Sequence, residues 1–442
     1  MAGTVQDFTY DLQVDDLLPS TRHHLALLLL DTLGVGAAAR DLVAGRAARD
    51  VAVALHGAGP GAPAARLAFD GRPVSPAGAA FALAAQTDNL DAHDGYSPSK
   101  GHIGVVVVPT LVAHAQARPA LTVGAALAAL AVGYEVAARA GVALHATVAD
   151  YHTSGAWNAL GAAALAARLD GLEPALLREA LGIAEYHGPR SQMMRGIRHP
   201  TMVHDGAGWG ALAGSSAVAL AAAGFTGAPA ITVEDPALAA TWGDLGDRWT
   251  VDDTYVKTYP VCRWTHPMVD AALALRHAHA LDHASIAAIE IGTFEEATHL
   301  VSTVPASTTD AQYASSFPVA AALVHGRVGV GEVSGAGLVD PAVARLVART
   351  TVVRRPEFDR RFPAERLGDV TITTTSGATW SSGPSLATGG VAEPGADAVV
   401  REKFHRLAGP ALGAARAAAI EGAATGPLDA PFTDLLALLL PA

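Results

Sequence analysis

Long runs of small and aliphatic residues alternate with short glycine, proline or aspartate breaks from residue 20 to about residue 225. The runs are too long for strands, and the breaks are typical helix ends, so the pattern predicts packed antiparallel helices. Residues 20–40, 154–172 and 205–229 are three such runs, and the last is almost free of charge after its first residue. We expect this third helix at the centre of the bundle.

The pattern changes after about residue 265. Residues 285–297 and 368–382 alternate apolar and polar positions and are rich in β-branched residues, which predicts strands. Two helical patterns, at 315–328 and 340–350, lie between them, and the chain reads as helical again from about residue 395. We therefore predict a mainly α protein: a large all-helical domain of residues 1–265, completed by 395–442, and a smaller α+β domain of residues 266–394.

Composition supports a two-domain globular protein. The chain has 442 residues, of which 50% are hydrophobic and 16% charged, and a single core stops growing at about 250–300 residues. The net charge of −12 is spread along the chain, so we expect neither nucleic acid nor a membrane as a partner. The apolar run 121–146 is long enough to cross a membrane, but Glu135 and Arg139 interrupt it, and we predict a buried helix.

Cysteine usage and the N-terminus indicate the compartment. Cys262 is the sole cysteine, which excludes an intramolecular disulfide and a thiolate zinc cage. The first twenty residues lack the basic start and apolar middle of a signal peptide. We expect a cytoplasmic protein.

The segment "NLDAHDGYSPSKGHIGVVVVP", residues 89–109, gathers titratable groups in a turn-rich stretch before a wholly apolar one. Asp91, His93, Asp94 and His102 would lie at the mouth of an apolar wall, where pKa values shift and acid–base chemistry becomes possible. A solvated loop with helix-capping aspartates is the alternative. The same four residues could ligate a metal, but they do not show an HxxxH or HExxH spacing.

Three more polar clusters precede apolar helices. Cations at helix N-termini favour a small anionic ligand, although each cluster alone could be a surface group. The clusters are His152, just before a helix that Ser154 would cap; Arg195, Arg198, His199 and His204; and Lys257, Tyr259, Arg263 and His266. The chain has no GxGxxG, GxxxxGK[ST] or GxSxG motif, which leaves proton transfer as the simplest chemistry.

In order along the chain, eight segments resemble the MmgE/PrpD family, which includes 2-methylcitrate dehydratase, cis-aconitate decarboxylase and iminodisuccinate epimerase. The segments are "LLLDTLGVGAAAR", "NLDAHDG…GHIGVVVVPTLVAHA", "GYEVAARAG", "YHTSGAWNALGAAALAARLDGL", "ALGIAEYHG", "DGAGWGALAGSSAVALAAAGFTGAP", "YVKTYPVCRWTHPMVDAAL" and "AQYASSFPVAAALVHG". The resemblance implies a helical domain built from both chain ends, a smaller α+β domain, a homodimer, and catalysis without metal or nucleotide. It also places the family's substrate-binding and proton-moving positions at Asp91, Asp94, His102, His152, Lys257 and His266.

The chain also departs from the family pattern. A lysine that the dehydratases and decarboxylases usually carry is missing, and His204 is the nearest replacement. Phe317 stands where the family has a tyrosine, with Tyr313 one helical turn earlier. The unusual "YSPSKGH" brings Tyr96 and Lys100 next to the site. Dehydration or decarboxylation of a citrate-type acid in its standard form is therefore in doubt.

We hypothesise a cofactor-independent lyase that abstracts a proton α to a carboxylate or carbonyl of a small metabolite, without a metal. His102 and His152 would be the acid–base pair, and Asp91 and Asp94 would orient and tune them. The expected substrate-binding residues are Lys257, His204, Arg263, His266, Tyr96, Lys100 and Tyr313. The alternatives are an epimerase or isomerase of the iminodisuccinate-epimerase type, and an idle member that only binds a metabolite.

Overall fold

The computed structural model describes residues 4–389 and 395–441, and most of them are helical. The α-helices are α1 Val5–Asp11, α2 Pro19–Ala38, α3 Val43–Leu55, α4 Pro76–Asp88, α5 Gly104–His114, α6 Val123–Thr147, α7 Gly155–Asp170, α8 Leu177–His187, α9 Met193–Arg198, α10 Ala207–Ala222, α11 Ile231–Glu234, α12 Ala239–Trp242, α13 His266–Ala278, α14 Thr308–Gln312, α15 Ser316–His325, α16 Pro341–Val347, α17 Pro356–Asp359, α18 Ala396–Leu412, α19 Ala414–Ala424 and α20 Phe432–Leu439. Short 3-10 turns cover Val14–Asp16, Ala115–Ala117, Pro174–Leu176, Pro236–Leu238, Thr250–Asp253, Arg263–Thr265, His283–Ser285, Glu295–His299 and Gly335–Val339.

The strands form two sheets. β1 (Ala65–Arg66) and β2 (Pro73–Val74) pair as a short antiparallel ribbon. The larger sheet has the order β4-β3-β5-β6, with β3 Ile286–Thr293, β4 Thr350–Arg354, β5 Gly368–Thr374 and β6 Thr379–Ser381. β4 is parallel to β3, whereas β5 is antiparallel to both of its neighbours.

Helix α7 lies at the centre of the helical domain, between α6 and α10, and small residues let the backbones approach closely. A Cβ atom on Gly161 would lie 2.5 Å from the Gly133 carbonyl oxygen and 2.6 Å from the Ala137 Cβ. The prediction that residues 205–229 form the central helix is wrong, because α10 is partly exposed and Trp209 is 59% accessible. Low charge alone did not distinguish a central helix from a peripheral one.

The C-terminal helices pack back onto the first helices of the chain. Phe404 of α18 joins the main helical core, where the α2 backbone at Gly34 is so close that a Cβ would lie 2.8 Å from the Phe404 ring. The predicted boundary between residues 394 and 395 lies at the edge of 390–394, which are outside the described residues.

A separate apolar core forms the smaller domain. Helices α13, α15 and α16 cover the sheet through residues such as Met268, Leu323 and Leu346, which pack with Ile291 and Ile372 of the strands. The predicted fold class, mainly α with a small α+β domain, is confirmed. The predicted helix of residues 340–350 is too long at its C-terminal end, because α16 ends at Val347 and Thr350 begins β4.

Helix α6 is the one described helix that is long and apolar enough to cross a membrane. Within its most apolar window, 94% of the residues are buried inside the protein. Glu135 accepts a hydrogen bond from the Val251 amide at 3.0 Å and pairs with Arg139 at 3.3 Å. The charges that interrupt the run are thus paired inside the core. Homodimer formation and a cytoplasmic location stay predictions.

Candidate active site

The loop between α4 and α5 is held in a fixed shape by main-chain hydrogen bonds. Gly95 and Tyr255 exchange two N–H···O bonds, both of 2.9 Å, and the Tyr96 amide donates to the Gly101 carbonyl at 2.8 Å. Asp91 and Lys100 take positive φ values of 53° and 57°, which are uncommon for residues other than glycine. The loop therefore presents its polar groups in one defined arrangement.

Asp94 anchors the start of α5. Its carboxylate accepts hydrogen bonds from the amides of Ile103 at 3.3 Å and Gly104 at 3.0 Å, and from the Tyr134 hydroxyl. Burial raises the pKa of this carboxyl to about 6. The main-chain carbonyl oxygen of Asp94 lies 2.5 Å from His102 Nδ1, and a catalytic role for the Asp94 side chain stays a prediction.

His102 is held as a neutral imidazole. A carbonyl oxygen only accepts hydrogen bonds, so the contact with Asp94 assigns the proton to Nδ1 and leaves a lone pair on Nε2. The amide of His102 donates to Ser154 Oγ at 3.0 Å, and its ring packs edge-on against His93 with centroids 4.6 Å apart. Burial, followed by the charge of Lys257, holds the pKa of His102 well below its usual value. The ring is therefore uncharged, as a general base must be before it accepts a proton.

His102 lines a small pocket at the junction of the helical and α+β domains, with a cavity volume of about 30 Å³. Lys100, Arg263 and Arg366 bring three cations to the pocket wall. The Arg263 guanidinium lies 4.3 Å above the Tyr255 ring, and Arg366 Nη1 donates to Ser97 Oγ at 2.8 Å. The other lining residues are Asp91, Gly101, Tyr151, Met193, Ile197, Asp205, Tyr255, Cys262, Trp264 and Tyr313. The positive charge of this wall is suited to the carboxylate groups of a small molecule.

Asp91 and Lys257 form a buried ion pair below the pocket. Lys257 is completely inaccessible, and its ammonium group contacts Asp91 Oδ1. Burial raises the pKa of Asp91 to about 6, although the charge of Lys257 opposes the shift. Asp91 lines the pocket, whereas Lys257 is absent from the described lining. Direct contact between Lys257 and a substrate therefore stays a prediction.

Several predicted residues lie away from the lining of this pocket. The ring of His152 is 2.9 Å from the Asp150 carbonyl oxygen, and its amide donates to His145 Nε2 at 3.1 Å. His266 Nε2 is 3.1 Å from the Val261 carbonyl oxygen, and the Tyr96 ring belongs to the main helical core. The structure does not bring His102 and His152 together in the described lining of one pocket, and a role for His152 in acid–base chemistry stays a prediction.

His204 and Tyr313 lie beside one another, with ring centroids 5.2 Å apart. Tyr313 lines the pocket, while His204 faces a neighbouring wide groove. Neither ring nitrogen of His204 has a hydrogen-bond partner among the described residues. Burial lowers the pKa of His204 to about 3, so this residue does not supply the positive charge of the missing family lysine at neutral pH.

Asp205, Tyr151 and Arg366 also line the pocket, although they are not among the site residues predicted from the sequence. Asp205 directly follows the cluster around His204, so its position before an apolar helix was a usable signal. Ser154 does not cap α7 as predicted, because its hydroxyl donates to Asp205 Oδ2. Arg366 precedes β5, far along the chain from the loop that it reaches, and no sequence pattern marked it.

The described side chains do not include a cluster of three or more His, Cys, Asp or Glu residues placed to hold a metal ion. The expectation of a reaction without metal or cofactor stays a prediction.

Two family models match the chain. The model of the MmgE/PrpD N-terminal domain matches residues 4–243, and the model of the MmgE/PrpD C-terminal domain matches residues 259–425. No curated protein matches the chain. The two models cover nearly the whole sequence, so the chain belongs to the MmgE/PrpD family. Membership indicates an enzyme of the dehydratase or lyase type that acts on a small metabolite.

Proposed function

We propose that this MmgE/PrpD protein is a cofactor-independent lyase that removes a proton α to a carboxylate or carbonyl of a small acidic metabolite. The observation that carries the proposal is the neutral His102 ring, with Nδ1 2.5 Å from the Asp94 carbonyl oxygen, in a pocket that also presents three cations. A positioned base of this kind accelerates proton transfer by about 10²–10⁴.

His102 Nε2 takes the α-proton, and the electrons move onto the adjacent carboxylate or carbonyl. The developing negative charge needs fixed positive charges or donors near it. Lys100, Arg263 and Arg366 line the same pocket and provide them, and Lys257 adds a buried positive charge from below. If the intermediate expels a β-substituent, the enzyme is a lyase.

An epimerase is the second candidate, because it shares every step up to the intermediate and differs only in the return of a proton to the other face. His152 stays the predicted partner of His102 for that return, although its ring contacts the Asp150 carbonyl. An idle metabolite-binding member would show neither reaction.

The test is hydrogen exchange in deuterium oxide. Purified protein is incubated with malate, citrate, 2-methylcitrate and aspartate, and each α-carbon is followed by proton NMR. We expect deuterium incorporation into at least one acid by the wild type, and a loss of at least 100-fold in His102→Gln. His277→Gln, at an exposed position in α13, is the matched control and should exchange like the wild type.

Product identity then separates elimination from epimerisation. Equal exchange by His102→Gln and the wild type would show that His102 is not the base. Absence of exchange with all four acids would contradict the proposal for this class of substrate.

A further inference from the structure

A second buried acidic group lies beside His102 in the pocket. Asp205 is 5% accessible and lines the pocket, and its Oδ2 atom is 4.0 Å from His102 Nε2, the atom that carries the lone pair. Ser154 fixes this arrangement, because its hydroxyl oxygen accepts the amide hydrogen of His102 and donates its own hydrogen to Asp205 Oδ2. One serine thus ties the carboxyl group and the base to each other.

Asp205 lies close to a second carboxyl group. Asp88 is also buried, and its Oδ2 atom accepts a hydrogen bond from the Ala207 amide at 3.1 Å, two residues beyond Asp205. Burial raises the pKa of both carboxyl groups, and the charge of Asp205 raises that of Asp88 further. Two neighbouring buried carboxyl groups do not both ionise readily, so the pair retains a proton. Only Asp205 of the pair lines the pocket, so a proton shared by the pair would have to reach a bound molecule through the Asp205 carboxyl group.

We infer that Asp205 is the catalytic acid that protonates the leaving oxygen during elimination. The inference rests on the proposed function. His102 Nε2 takes the α-proton, the β-carbon–oxygen bond breaks with its electron pair on oxygen, and the Asp205 proton joins that oxygen to form water. The ionised Asp205 then recovers a proton from the His102 imidazolium 4.0 Å away. The enzyme returns to its starting state, and the net change is loss of water from the substrate.

The hydroxyl groups of three tyrosines that line the pocket, Tyr151, Tyr255 and Tyr313, are competing acids. The Tyr151 hydroxyl donates to the Lys100 carbonyl oxygen, so its proton is already engaged. Burial raises the pKa of the Tyr151 and Tyr313 phenols well above the usual tyrosine value, which makes each a weaker acid than a carboxyl group.

The test separates exchange from elimination. Asp205→Asn keeps an oxygen that can accept the Ser154 hydrogen bond but removes the acidic proton. With malate as the probe, we expect fumarate formation to fall at least 100-fold, while α-proton exchange stays within about threefold of the wild type, because His102 is intact. Tyr313→Phe is measured in parallel as the competing acid.

A second probe removes the need for an acid. Chlorosuccinate carries chloride in place of the hydroxyl of malate, and chloride leaves without protonation. We expect Asp205→Asn to eliminate chloride at a rate within about threefold of the wild type. A merely structural role for Asp205 would slow both substrates equally. If Asp205→Asn does not fold, Asp205→Ala replaces it in both assays.

The possible outcomes are distinct. If Asp205→Asn forms fumarate as fast as the wild type, or if Tyr313→Phe alone shows loss of elimination with retained exchange, the assignment of Asp205 is overturned and the proposed function stands. If the wild type exchanges the α-proton but expels nothing, there is no leaving oxygen for Asp205 to protonate, and the lyase proposal and this assignment both fail. Absence of exchange in the wild type also overturns both.

Discussion

A buried ion pair joins the C-terminal helices to the loop that carries the candidate base. Lys403 of α18 is 2% accessible, and its Nζ atom lies 2.6 Å from Oδ1 of the fully buried Asp31 in α2. The same ammonium group donates to the Ala92 carbonyl oxygen at 2.6 Å, between the pocket residue Asp91 and His93. We predict that Lys403→Met destabilises the protein and slows its reaction.

The magnitude follows from the charge that the substitution leaves behind. Breaking a buried pair by removing one partner costs about 3–5 kcal/mol, because the other charge stays buried without compensation. Asp31 fits this case, since Oδ2 has no hydrogen-bond partner among the described residues and burial already raises the pKa of the group despite Lys403. Replacing both partners by apolar residues is often close to neutral. Lys403→Met with Asp31→Leu should therefore recover most of the lost free energy of unfolding.

The pH dependence gives a second signature. Lys403 lowers the pKa of Asp31, so its removal lets burial raise that pKa further in the folded state. The unfolded chain loses this proton near the usual value of 3.8, and folding then favours the protonated carboxyl. Stability falls as the pH rises through that interval, by up to about 1.4 kcal/mol per pH unit. The deficit of the single variant should be larger at pH 8 than at pH 5.

Urea unfolding followed by tryptophan fluorescence and by circular dichroism measures the effect. Coincident transitions with unchanged m-values are required before a single free energy is assigned. The double variant also lacks the hydrogen bond from Lys403 to Ala92. Its α-proton exchange should therefore stay slow, even though its stability returns. A single variant that loses less than about 1 kcal/mol at pH 8, or a double variant no more stable than the single one, would refute the reasoning.

Three further predictions concern the same region. Gly104→Ala should lower the free energy of unfolding by about 1–3 kcal/mol, because the added Cβ would lie 2.5 Å from the Tyr134 hydroxyl oxygen. In the control, Gly422→Ala in α19, the added Cβ meets no atom within 4 Å, and this variant should be more stable by about 0.5–1 kcal/mol. Equal effects of the two substitutions in urea unfolding would contradict the packing argument. Because the pKa of His102 is lowered, the rate of α-proton exchange should fall on acidification with a midpoint below pH 6.5. A midpoint at or above pH 6.5 that is absent from the pH profile of His102→Gln would contradict this prediction. Arg366→Met should raise KM for a dicarboxylate about tenfold, the loss of about 1.4 kcal/mol of binding, with kcat nearly unchanged; steady-state kinetics that show a fall in kcat alone would argue against a role in binding.

Periodicity predicted the helices and the main strands well because it records which positions are buried, and burial repeats along a regular element. It does not record where a side chain points at the end of an element. His152 shows the limit: it was correctly placed just before α7, yet its ring contacts the Asp150 carbonyl. Arg366 shows another, since it reaches Ser97 from 269 positions away in the chain. Contacts of that kind depend on how two domains pack.

The family resemblance predicted which loop carries the site, but it did not predict which atoms of each residue make the contacts. It marked Asp94 for catalysis, and the structure has the Asp94 carboxylate capping α5 while the main-chain carbonyl of the same residue holds His102. It also marked a missing lysine, for which His204 was the nearest replacement. The lowered pKa of His204 shows that a histidine in that buried place does not restore the charge.

Lys257 is absent from the described pocket lining, but its buried charge affects the pKa values of histidines around the pocket. Its charge lowers the pKa of His93, His102 and His204, so one cation helps to keep all of these rings neutral. A neutral ring is what proton abstraction requires, whereas an imidazolium could only donate. Asp91 compensates the lysine's charge on the side where the pair meets the pocket. In the proposed reaction, Lys257 would therefore add to the effect of burial in keeping the base neutral, and the cations of the wall would bind the substrate carboxylates.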